Sequence, residues 1–151
     1  MTNSYDLWSN DPSAWKTRAE ALVLSASILR QHRNPHEISD DMLFVELLLW
    51  GYAVEVFLKC AFLKRRGCLV KNGKYVGPAA HKLVRIAKDT KYPIDQHQES
   101  LLERMSAIVR WSGRYPIATT LGETVQPHHW SVPEDDFELD KLIVALKQEC
   151  V

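Results

Sequence analysis

Cysteine is scarce in this sequence, with Cys60, Cys68 and Cys150 the only three in 151 residues. The number is odd, the spacing fits no metal site, and nothing resembles a disulfide framework, so a reducing, cytoplasmic setting is the default expectation. Cys60 lies in an apolar run and reads as a small core residue. An excess of charge of one sign is also lacking: 19 basic and 19 acidic side chains give a formal net charge of +0. That balance disfavours tight, indiscriminate binding to nucleic acid, which needs many uncompensated phosphate contacts, but it leaves room for a local basic patch. Met1 to Asn10 has neither a basic nor an apolar stretch, so no signal peptide is expected. The one segment of membrane-spanning length, Met42 to Leu63, is broken by Glu46, Glu55 and Lys59. Each would cost roughly 2.5–3.5 kcal/mol at a bilayer centre, so the segment reads as a helix buried among other helices.

Several chemistries lack their residues. Gly73 and Gly77 have neither the Lys-Ser/Thr ending nor the preceding strand of a phosphate loop. His128 and His129 are adjacent, and neighbouring residues rarely aim both rings at one metal. No serine or cysteine sits in an elbow-like context near a histidine. No metal and no cofactor are expected.

What is present suits one globular domain over residues 1–151, with 46% hydrophobic and 25% charged residues. Asp11-Pro12 starts a helix, with Asp as N-cap and Pro in the first turn. Trp15, Ala19, Leu22, Val23, Ala26 and Leu29 then recur at helical spacing until about His32. Ser39 or Asp40 caps a second helix that runs to about Arg66 and stops at Gly67. It is apolar nearly all round, which predicts a central helix covered by neighbours or by a second subunit. Residues 67–77 hold three glycines and the alternation Leu69, Val70, Tyr75, Val76. A short hairpin fits them, and an exposed loop is the simpler expectation. Pro78 is expected to open a third helix through Leu83, Ile86 and Ala87. A fourth begins near Asp95, carries Leu101, Leu102, Met105, Ile108 and Val109, and stops at Gly113. After a loop from Ile117 to Pro133, a last helix turns Phe137, Leu139, Leu142, Ile143 and Leu146 inward. The expected fold is all-α, an antiparallel bundle of about five helices.

Candidate functional groups cluster on the middle helices. Glu55 and Lys59 are four residues apart in the favourable order for a helical ion pair, among apolar neighbours. They read either as a half-buried structural pair or as a ligand contact. His81, expected in the first turn of the third helix, would be held neutral by the helix dipole and poised to donate or accept. Arg110, Trp111, Arg114 and Tyr115 place guanidinium groups beside aromatic rings, which suits stacking a base or clamping a phosphate. Equally, Arg114 could bond the helix's last carbonyls while Tyr115 packs.

The run Ala53-Val54-Glu55-Val56-Phe57-Leu58-Lys59-Cys60-Ala61 resembles the signature helix of the HEPN family, Ala-x-Glu-x-x-Leu-Lys-x-Ala. His81-Lys82-Leu83 is similar to the family's His-x-Leu. Leu101-Leu102, Trp111 and Arg114-Tyr115-Pro116 match its Leu-rich helix closing in Arg-Tyr-Pro. Order and spacing agree over about residues 40 to 118. The resemblance implies a compact helical bundle, often a homodimer, in bacterial or archaeal cytoplasm. It also implies either a metal-independent ribonuclease of toxin–antitoxin, phage-defence or RNA-processing systems, or a binding module partnered with a nucleotidyltransferase. Catalytic members use Arg, four to six residues, then His. Arg30 and His36 have that spacing here, but nine arginines and six histidines produce roughly one such match by accident. The pair also lies between the first two helices, away from the family's position, and Pro35 breaks any helical register between them. The expectation is therefore a module that binds a nucleotide, RNA or partner protein without that ribonuclease site. Glu55, Lys59, Trp111 and Tyr115 would contact the ligand. The alternative is a ribonuclease in which His81 acts as general acid/base and Arg114 stabilises the phosphate.

Overall fold

A computed structural model describes residues 4–33, 40–112, 114, 130–131 and 133–151, those at 40, 41, 66, 111 and 112 by backbone alone. Among the described residues it is an all-α helical bundle with one small hairpin. The helices are α1 (Ser4–Ser9), α2 (Pro12–Gln31), α3 (Asp40–Arg66), α4 (Leu83–Thr90), α5 (Gln96–Ala107) and α6 (Glu134–Glu149). Strands β1 (Val70–Lys71) and β2 (Lys74–Tyr75) pair antiparallel between α3 and α4, and a π-helical turn over Ile108–Ser112 continues α5.

The start of α2 is as its sequence dictates: the Asp11 side chain accepts from Ser13 N, and Pro12 occupies the first turn. Helix α3 is the spine. Its Leu47, Trp50, Ala53, Val54, Phe57, Leu58 and Cys60 are all buried, covered from within the same chain by α2, α4, α5 and α6. Helix α2 runs antiparallel to it, because Arg30 and Arg33 at the end of α2 reach Glu46 early in α3, while Pro12 O receives the Cys60 thiol. Helix α6 lies parallel to α3: Arg33 joins Glu46 to Asp136 at one end, and the Cys150 thiol meets Phe57 O at the other. No helix among the described residues is long and apolar enough to cross a membrane.

Four expectations need correction. The segment after Gly67 is a hairpin packed on the body, with Leu69 and Val70 buried. Asn72 and Gly73 both take positive φ, the two-residue turn that matches strand twist, and the Asp6 carboxylate accepts from both of their N–H groups. Asn10 adds bonds to Leu69 N and Val70 N, so α1, absent from the sequence reading, is latched to the hairpin. The third helix starts at Leu83, not at Pro78. Phe137 is exposed; two residues from Leu139 it faces away from the buried stripe, and its ring lies 4.8 Å from Lys141 Nζ.

Candidate functional site

One turn of helix separates Glu55 from Lys59, and their side chains meet, with Lys59 Nζ 2.7 Å from Glu55 Oε1. The other carboxylate oxygen, Oε2, accepts from the backbone N of His81 at 3.1 Å and lies 2.9 Å from His81 Nδ1. An ionised carboxylate only accepts, so Nδ1 carries the ring proton and Nε2 faces away from the pair. His81 stands two residues before the start of α4, with φ of 64°. That left-handed backbone, unfavourable for a residue with a Cβ, turns both of its donors onto one oxygen. Glu55 thus holds the loop entering α4 as well as an ammonium. Further along, Leu83 N donates to Ser106 Oγ of α5, satisfying one of the N–H groups that α4 leaves open at its start.

Burial divides the cluster. Glu55 and Lys59 are only 4% and 9% exposed, whereas the His81 side chain is 34% exposed. The ion pair is inside, and the imidazole is its outlet to solvent. Lys59 Nζ also sits 5.9 Å from the Trp15 ring centroid and 5.4 Å from that of Tyr75. The Tyr75 hydroxyl donates to Pro78 O at 2.8 Å. Partial burial of Tyr75, a residue still 48% exposed, then the nearby charge of Glu55, pushes the phenol up to about 12.

The remaining expected residues do not join this cluster in what is described. Arg114 is exposed, and its guanidinium donates to Arg110 O at 2.5 Å, serving the helix end. The backbone of Trp111 is in the π turn; its side chain, and Tyr115, lie outside the described residues. Arg30 bonds Glu46 and Asp140 and stacks 4.3 Å from the Trp50 ring, within a network that ties α2, α3 and α6 together. His36 lies outside the described residues. No group of His, Cys, Asp and Glu among the described residues could hold a metal ion.

A second feature escaped the sequence reading. Between α4 and α5 runs a groove of about 630 Å³ lined by Lys82, Arg85, Lys88, Arg104 and Arg110 against one acid, Glu103. The spacing of Lys82, Arg85 and Lys88 along one helical face was the available signal. Around the groove Arg85 pairs with Asp89 at 3.4 Å, Lys88 with Glu99 at 2.6 Å and Arg104 with Asp135 at 2.5 Å. The first two are exposed pairs, whose cations can change partner at little cost.

Fold and cluster together define a helical bundle in which a buried carboxylate orients a solvent-facing histidine beside a basic groove. Comparison with protein-family models, curated proteins and solved structures finds no match for this chain.

Proposed function

We propose that this chain is a HEPN-like helical module that binds a phosphate-bearing ligand, RNA or a nucleotide, without the Arg-x(4-6)-His ribonuclease site. The observation that carries the reading is the α4–α5 groove, lined by five cations of which Arg85 and Lys88 are held in exposed pairs that a phosphate can displace. Phosphate affinity is then local, resting on a few contacts rather than on the charge of the whole molecule. Lys82 leads into the groove directly from His81, so the solvent-facing imidazole and the first groove cation are neighbours in sequence. Titrating labelled single-stranded RNA at several salt concentrations tests this by fluorescence anisotropy. Three or four phosphate contacts give a slope of about −2 to −3 in log affinity against log salt. The double charge reversal Lys82→Glu with Arg85→Glu should abolish the binding. RNA that fails to bind at low salt, or binds the double variant equally well, removes the proposal.

The Glu55–His81 contact favours a second reading, a metal-independent ribonuclease. A carboxylate at Nδ1 fixes the tautomer and ring orientation that a general acid/base needs. In this reading Arg114 would have to leave Arg110 O to reach a phosphate. Purified protein and His81→Ala incubated with RNA decide it: equal cleavage, or none in either, discards the enzyme.

As to partners, the resemblance supports a cytoplasmic homodimer working with a nucleotidyltransferase or another protein of a toxin–antitoxin or phage-defence system. A dimer through the middle of α3 would need Trp50, which is buried within the single chain, 3% exposed. The exposed apolar residues Leu24 and Ile28 of α2 and Phe137 and Val144 of α6 are better suited to meet a second copy. Light scattering on the chain and on Leu24→Asp with Val144→Asp should show a dimer becoming a monomer.

A further inference from the structure

A cleft of about 340 Å³ opens between α1, the start of α2 and the hairpin. Its walls are four aromatic rings, those of Tyr5, Trp8, Trp15 and Tyr75, over a floor that includes Val56 and Val70. Trp8 is 71% exposed, an unusual position for so large an apolar surface. The walls are held in place: the Trp15 indole N–H donates to Ser9 O at 2.8 Å, and α1 is pinned to the hairpin through Asp6 and Asn10. The one charged residue in the lining is Arg18, which has no ion-pair or hydrogen-bond partner among the described residues.

We infer that this cleft binds a small planar aromatic molecule carrying an anionic group, its ring stacked on the tryptophans and its charge on Arg18. The charge pattern decides the sign. An aromatic enclosure by itself would suit an organic cation, but Lys59, already against Trp15 and Tyr75, is neutralised by Glu55, and the lining itself carries Arg18 and no acid. A cationic ligand would meet the Arg18 guanidinium unfavourably, whereas an anion gains a guanidinium that no described residue pairs. The volume lies at the small end of ligand sites, enough for one ring system with its substituent. This site does not depend on the groove between α4 and α5.

The five tryptophan indole N–H signals in a ¹⁵N–¹H spectrum read the cleft directly, with those of Trp8 and Trp15 identified by their loss in Trp8→Phe and Trp15→Phe. Adenosine 5′-monophosphate and indole-3-acetate share the required chemistry and separate its two sources, nucleotide and aromatic acid. At least one of them should shift the Trp8 and Trp15 signals saturably, and whichever binds more tightly names the source. Uncharged adenosine or indole should bind about tenfold more weakly than its charged counterpart, and Arg18→Ala should erase that difference. The groove variant Lys82→Glu with Arg85→Glu should leave these shifts unchanged. No saturable shift with either probe at millimolar concentration, or equal affinity of charged and uncharged probes, overturns the inference.

Discussion

Glu55 engages three donors with two oxygens: the Lys59 ammonium, the His81 backbone and the His81 ring. Its pairing with Lys59 was legible from the i, i+4 spacing, since that geometry is local to one helix. The His81 contact was foreseen only as a convergence, because residues 26 apart meet through packing that no spacing encodes. The reading of His81 as a first-turn helix residue missed that its backbone is left-handed, a conformation the surrounding contacts impose. Tyr75 makes the electrostatics of this region measurable. Its phenol is pushed up to about 12, so the unfolded chain loses that proton first as pH rises past about 10. The associated stability is present below about 10 and is lost as pH climbs toward 12. Absorbance titration of the phenols should show a late-ionising tyrosine that disappears in Tyr75→Phe. A titration curve unchanged apart from one ordinary tyrosine would contradict this assignment.

Helix α3 and the π-helical turn that continues α5 approach closely at Gly51. Gly51 has no side chain there, and a Cβ at that position would run into a methyl group of Val109, with Met105 beside it. Glycine in mid-helix costs roughly 1 kcal/mol in propensity, a cost offset here by the close approach it permits. Gly51→Leu should lower stability by about 1–3 kcal/mol through overpacking, read as a drop in the urea midpoint with the slope preserved. Full stability in that variant would mean the two helices can separate freely. Helix α5 itself begins as its sequence suggests: Asp95 and Gln98 form a reciprocal capping box. The hairpin was less legible. Asn72-Gly73 between alternating apolar residues is a strong turn signal, but strands of two residues fall below what alternation alone can establish. What holds them is the α1 latch, from a part of the chain 60 and more residues away.

Across the molecule, carboxylates near the start of α6 bind the bundle together. Arg33 joins Glu46 and Asp136, while Arg104 brings Asp135 onto α5. Burial works against ionising Asp135, but hydrogen bonds from Arg104 and Ser131 N outweigh it and hold the carboxyl below its usual range. A carboxyl lowered on folding stabilises the protein above about pH 4, and that contribution is lost as pH falls through its folded value. Asp135→Asn should therefore cost about 1–2 kcal/mol at pH 7 and progressively less below pH 4. Urea midpoints of both proteins at pH 7 and pH 3 check this. A gap that stays constant would show that the Asp135 charge is not what ties α6 to α5.

Periodicity and end signals determined the all-helical class, the limits of α2 and α3, and the inward stripe Leu139, Leu142, Ile143 and Leu146, because each depends on residues within one or two turns of each other. Only the tertiary structure decided which charges share a space. The α4–α5 groove gathers cations from two helices, and the aromatic cleft gathers rings from α1, α2 and β2. A side chain's neighbours across elements are set by how the apolar faces dock, and one-dimensional spacing carries no record of that docking.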